Sequence, residues 1–114
     1  SGEPAGVGPE LCAQVAAARD FDAELVCLGD PGLLADRARE AGVEVRIQRF
    51  DPAAPPAPHH RGTLRVWPVP LAAPSQPGRL EVANAPYVVS QIDTALDEVT
   101  SRRFDAMVTA PVQK

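Results

Sequence analysis

Segments with helical and strand periodicity alternate along almost the whole chain, and glycine or proline marks most of the boundaries. Gly8-Pro9-Glu10 predicts a helix start: glycine suits the cap, proline the first helical position, and glutamate the positive end of the helix dipole. Leu11, Cys12, Val15 and Ala16 continue that helix as an apolar stripe toward Arg19. Residues 24–29, Glu-Leu-Val-Cys-Leu-Gly, carry a continuous apolar run, the pattern of a strand covered on both faces of a parallel sheet. Asp30-Pro31 repeats the capped opening, Leu33, Leu34 and Ala38 give the next stripe, and Gly42 ends it. Val43, Val45 and Ile47 alternate with Glu44, Arg46 and Gln48, as in a half-exposed strand near a sheet edge.

Proline makes up 13 of the 114 residues, and seven of those lie between Pro52 and Pro74. Residues 51–62 therefore read as a proline-rich surface loop. Thr63 to Trp67 reads as a strand closed by Pro68 and Pro70. Val88, Val89, Ile92, Leu96 and Val99 then recur at helical spacing, with Gln91, Asp93, Asp97 and Glu98 assigned to the wet side. This helix starts either at Asn84, with Pro86 in its first turn, or near Gly78 with a kink at Pro86. Arg102-Arg103 fall in its last turn, where cations suit the dipole. Asp105 to Thr109 reads as a last buried strand.

The order helix, strand, helix, strand, strand, helix, strand implies an α/β fold with a layered, mostly parallel sheet. A glycine loop in such a fold connects a strand to a helix. A strand is therefore expected before Ser1, and further chain after Lys114. Residues 1–114 are thus expected to be part of a larger protein.

The net charge of −4 argues against a nucleic-acid platform, which needs a basic face. The five aromatics (Phe21, Phe50, Trp67, Tyr87, Phe104) are too few for base stacking. No run of 18 apolar residues occurs, so a membrane-spanning helix is not expected, and neither is a signal peptide; the expected location is the cytoplasm. Cys12 and Cys27 sit among apolar residues and read as small buried side chains in a reducing compartment. His59-His60 read as exposed loop residues, because adjacent histidines rarely share one metal ion and no cysteine or carboxylate clusters with them. Asp93, Asp97 and Glu98 read as solvated helix charges.

Two motifs remain as candidates. In Gly2-Glu3-Pro4-Ala5-Gly6-Val7-Gly8-Pro9-Glu10, Gly6 and Gly8 permit tight turns and close approach of a ligand, and the following helix offers N–H groups to an anion. The spacing fits neither of the common glycine-rich nucleotide motifs, so a tight strand-to-helix turn without ligand is the competing reading. In Thr109-Ala110-Pro111-Val112-Gln113-Lys114, Thr109 offers a hydroxyl and Lys114 a cation suited to phosphate or carboxylate. That block follows a predicted strand end, where open α/β sheets bind ligands; a solvated loop is the alternative.

Taken together, the run 1–10 resembles the N-terminal signature of the 4-hydroxythreonine-4-phosphate dehydrogenase family, and residues 109–114 look like its T-[AG]-P-[IV]-x-K block. Gly62-Thr-Leu, the proline-rich connection and the Asn84–Ile92 helix fall in the matching order between them. The resemblance implies a fold like that of isocitrate and isopropylmalate dehydrogenases, and a homodimer with sites at the subunit interface. It implies NAD-dependent oxidation and decarboxylation of 4-phosphooxy-L-threonine to 3-amino-2-oxopropyl phosphate, in pyridoxal phosphate biosynthesis. A divalent metal (zinc, magnesium or cobalt), held by histidines beyond Lys114, would act as Lewis acid; His59 and His60 do not match those ligands. Gly2, Glu3, Gly6 and Gly8 are then expected to line the active-site cleft or the cofactor, and Thr109 and Lys114 the phosphorylated substrate. No catalytic residue is assigned within 1–114, and the segment alone is expected to be inactive. Oxidation of related four-carbon sugar-acid phosphates, such as erythronate or threonate phosphate, and a non-catalytic ligand-binding domain are the alternatives.

Overall fold

A computed structural model describes residues 1–111. Both capped openings form helices. α1 spans Gly8–Ala18 with Pro9 in its first turn, and Val7 rather than Gly8 takes the cap position. α2 spans Pro31–Glu40, and the Asp30 carboxylate accepts the Leu33 amide at 3.0 Å. α3 spans Ala85–Thr100 with Pro86 in its first turn, so of the two starts open in the sequence the Asn84 one is observed, after a short 3₁₀ turn at Val82–Asn84.

Three strands, β1 (Val26–Gly29), β2 (Arg46–Arg49) and β3 (Thr63–Pro68), form one parallel sheet in the order β1-β3-β2. Val26 lies opposite Arg65, and Arg46 opposite Thr63. The chain goes from β1 through α2 to the far edge and returns through the proline-rich loop to the middle. The central strand β3 buries Leu64 and Val66 against Ala16 of α1 and Leu34 of α2. A second cluster joins Leu33, Val69 and Tyr87, and so ties α2 to α3. On β3, Arg65 donates to Glu24 at 3.0 Å, a partly buried pair that anchors the approach to β1.

Several expectations change. Asp105–Thr109 is not a strand, and Val108 is almost fully exposed. β1 pairs only with β3 among the described residues, and residues 106–110 line a cavity of about 490 Å³ together with β1. With β1's backbone across that space, the 105–109 run has no neighbour for a ladder. The same cavity leaves most of β1 half-buried, although its apolar run suggests cover on both faces. Cys12 and Cys27 are half-buried for the same reason. β2 begins three residues later than the alternation at Val43 suggests. α3 ends before Arg102-Arg103; Arg102 takes a left-handed φ of 65°, and Arg103 pairs with Glu98 at 2.8 Å.

His59 is the clearest reversal. It is 4% exposed, and its Nε2 lies 3.0 Å from the Ala16 carbonyl oxygen. The loop folds back under the end of α1, and the ring there meets Phe21 at 5.5 Å between centroids. Only His60 is exposed, as expected.

Leu34 is completely buried where both helices meet the sheet. Leu34→Ala is expected to cost about 2–5 kcal/mol of stability through lost transfer energy and a residual cavity. Urea unfolding followed by circular dichroism measures it.

Candidate active-site edge

The N-terminal loop lies across the carboxyl end of β1. The Ser1 amine donates to the Leu28 carbonyl at 2.9 Å, and the Ser1 hydroxyl lies 3.3 Å from the Tyr87 hydroxyl. Gly2 has φ +77°, and a Cβ there would stand 2.8 Å from the Pro111 carbonyl oxygen. A Cβ on Gly8 would overlap the Ser1 carbonyl oxygen. Both glycines are therefore required by the chain's own crossing, whereas Gly6 has only ordinary contacts with Glu3. The Glu3 amide donates to the Pro111 carbonyl at 3.2 Å, and its carboxylate accepts the Ala5 amide at 3.2 Å. The two motifs singled out in the sequence thus touch one another at the sheet's carboxyl edge. Thr109 is exposed beside this contact. Lys114 lies outside the described residues.

Two clamps hold the loop. From α2, Arg37 reaches under it and donates to the Pro4 carbonyl at 2.6 Å and to the Gly6 carbonyl at 3.2 Å. Arg37 is 2% exposed, and among the described residues its one carboxylate neighbour, Glu40, stands 3.8 Å away. From α3, the Gln91 side-chain oxygen accepts from the Ser1 amine and the Gly2 amide, and its nitrogen donates to the Gly2 carbonyl, at 2.9–3.0 Å. Tyr87 also accepts the Asp30 amide at 3.0 Å; burial pushes its hydroxyl pKa up, so the group stays protonated. Asn84 makes no helix cap, but holds Ala72 and Ala73 through three hydrogen bonds of 2.9–3.0 Å.

Sequence reasoning missed Arg37 and placed Gln91 on the wet side. Both carry a signal in their spacing. Arg37 lies three and four residues after Leu34 and Leu33, and Gln91 four after Tyr87, within buried helical stripes. A polar residue inside such a stripe must have a built partner, and here both partners are the loop backbone.

A family model described as "Pyridoxal phosphate biosynthetic protein PdxA" matches residues 20–114. The chain belongs to this family. Two relatives named 4-hydroxythreonine-4-phosphate dehydrogenase, from Azoarcus sp. (strain BH72) and Aromatoleum aromaticum, are 48% and 49% identical over all 114 residues. The chain spans about a third of the length of these relatives (33% of each). The fold agrees with the crystal structure of 4-hydroxythreonine-4-phosphate dehydrogenase from Klebsiella pneumoniae, with a TM-score of 0.84 at 24% identity, over 99% of this chain and 36% of that one.

In this chain the glycine loop is braced from below at the carboxyl edge of a parallel sheet. The brace is testable. Arg37→Met keeps the buried stem but strands two carbonyl acceptors, and is expected to cost about 3 kcal/mol. Amide hydrogen exchange at Ala5–Gly8 should rise beyond what that global loss explains, while exchange in β3 follows global stability only.

Proposed function

We propose that this chain forms one wall of the active-site cleft in an enzyme that oxidises and decarboxylates 4-phosphooxy-L-threonine with NAD, giving 3-amino-2-oxopropyl phosphate. The observation that carries the reading is the contact of the 2–10 loop with the Ala110-Pro111 block at the carboxyl end of β1. Family membership and the names of the relatives support it. In this reading Gly2, Glu3, Gly6 and Gly8 shape the cleft wall. Thr109 and Lys114 face the phosphorylated substrate, and the lysine balances phosphate or carboxylate charge. The segment is the N-terminal part of a larger, homodimeric, cytoplasmic enzyme with an isocitrate/isopropylmalate dehydrogenase-like fold.

NAD supplies the hydride acceptor and a divalent metal the Lewis acid in this chemistry. The described residues do not fit either group. Among them no three His, Cys, Asp or Glu side chains converge as a metal site. The spaces beside Gly2 and Gly8 are filled by Pro111 and Ser1, so these glycines serve chain packing and no hydride-transfer step is assigned to them. The chain's own contribution is to fix the shape of one cleft wall, through Arg37 and Gln91.

The test is NADH formation by the full-length protein, with 4-phosphooxy-L-threonine, erythronate 4-phosphate and threonate 4-phosphate offered separately with a divalent metal. The highest kcat/KM is expected for the first. A higher value for a sugar-acid phosphate moves the assignment to that substrate, and no NADH with any of the three overturns the reading. In the same protein Lys114→Ala is expected to lower kcat/KM by about tenfold or more, equivalent to about 1.4 kcal/mol of transition-state binding. Unchanged kinetics would remove Lys114 from the substrate site.

A further inference from the structure

We propose that the cavity of about 490 Å³ beside β1 is the seat of one further parallel strand, formed by the residues that lead into Ser1 in the full-length protein. The sequence calls for such a strand but not for its place, which follows from the backbone. In a parallel sheet, successive residues of a strand turn their N–H and C=O groups to opposite edges. The Gly29 carbonyl accepts the Val69 amide, on the β3 side, and the Leu28 carbonyl accepts the Ser1 amine, on the other. Val26 and Leu28 therefore point their amides into the cavity, where β1 has no pairing neighbour among the described residues. The Ser1–Leu28 bond is the first rung of a ladder on that edge. Ser1 lines the mouth of the cavity, and residues 2–8 fold over its carboxyl side, with Gly8 packed on the Ser1 carbonyl. A chain that enters Ser1 thus comes up through the cavity in the same direction as β1.

The opposite wall is residues 106–110. Residues 1–3 already bridge the two walls at the carboxyl end, because the Glu3 amide donates to the Pro111 carbonyl at 3.2 Å. The gap is therefore one strand wide. Its lining sets the chemistry of the occupant. α1 offers Leu11 and Val15, which are 45% and 48% exposed although they belong to that helix's apolar stripe, and α3 offers Val88 and Ile92. Such walls suit an uncharged run of β-branched residues. Residues 24–28 all line the cavity, so about five residues, roughly 16 Å of extended chain, match its length. With that strand in place the 105–109 run gains the neighbour it lacks, and the sheet grows by two strands beyond β1. The strand, α1 and β1 then form a parallel crossover unit, the connection that neighbouring parallel strands require.

The test is amide hydrogen exchange, read by mass spectrometry, on the full-length protein and on the same protein cut back to Ser1. In the full-length protein the peptides covering 26–28 and 106–110 should be protected as strongly as β3. Cutting back to Ser1 should remove that protection and leave β2 and β3 protected. If the shortened protein does not fold, a diazirine-bearing leucine analogue at Leu11 of the full-length protein decides, because photolysis should link it to the peptide directly before Ser1. Links to a segment after Lys114 or to a second copy, protection that survives the cut, or a natural chain with fewer than four residues before Ser1 would overturn the proposal.

Discussion

The loop that makes this edge a candidate site rests on one buried cation. Arg37 has lost almost all contact with water, and the carbonyls of Pro4 and Gly6 take its place as hydrogen-bond partners. Burying a guanidinium is unfavourable unless its donors are matched, so the arrangement is stable only when the loop is where it is. The dependence also runs the other way. The loop has no regular backbone ladder, and its carbonyls need donors that a small domain rarely supplies from water alone. α2 is thus more than a layer on the sheet. Its Asp30 cap fixes the first turn, Leu33 and Leu34 seat it on two clusters, and Arg37 extends from the seated helix to the loop.

α3 supplies the opposing hold through side chains of a different kind. Gln91 presents both a donor and an acceptor to the backbone around Gly2, much as a neighbouring strand would, and Tyr87 bridges toward Asp30 at the start of α2. The loop is therefore fixed between two helices and the end of β1. Contacts of this kind hold the loop in one shape without help from any other group.

Much of this was legible in the sequence, and the failures have a common cause. Asp30-Pro31 and Pro9 marked real helix starts because a cap and first-turn proline act locally, and Pro86 lies in the first turn of α3 at one of the two starts left open. The parallel sheet followed from alternation. The two candidate motifs touch, although the strand expected to lead into the second is absent. What could not be read were partners distant in sequence. Gln91 contacts Gly2 across 89 positions and His59 contacts Ala16 across 43, so helix faces and loop composition alone assigned both to solvent. Asp105–Thr109 has strand composition, but a strand exists only where a neighbour accepts its hydrogen bonds, and β1 lies across a cavity.

The two sides of the sheet are chemically unlike. On β2 the exposed Arg46, Gln48 and Arg49 set charge and polarity along the outer strand, which discourages another chain from adding there. On the β1 side the neighbouring surface is mainly apolar, with Val26 and Leu28 among the cavity walls. The outer strand therefore guards its own edge with charge, whereas the β1 side depends on whatever chain covers its apolar wall.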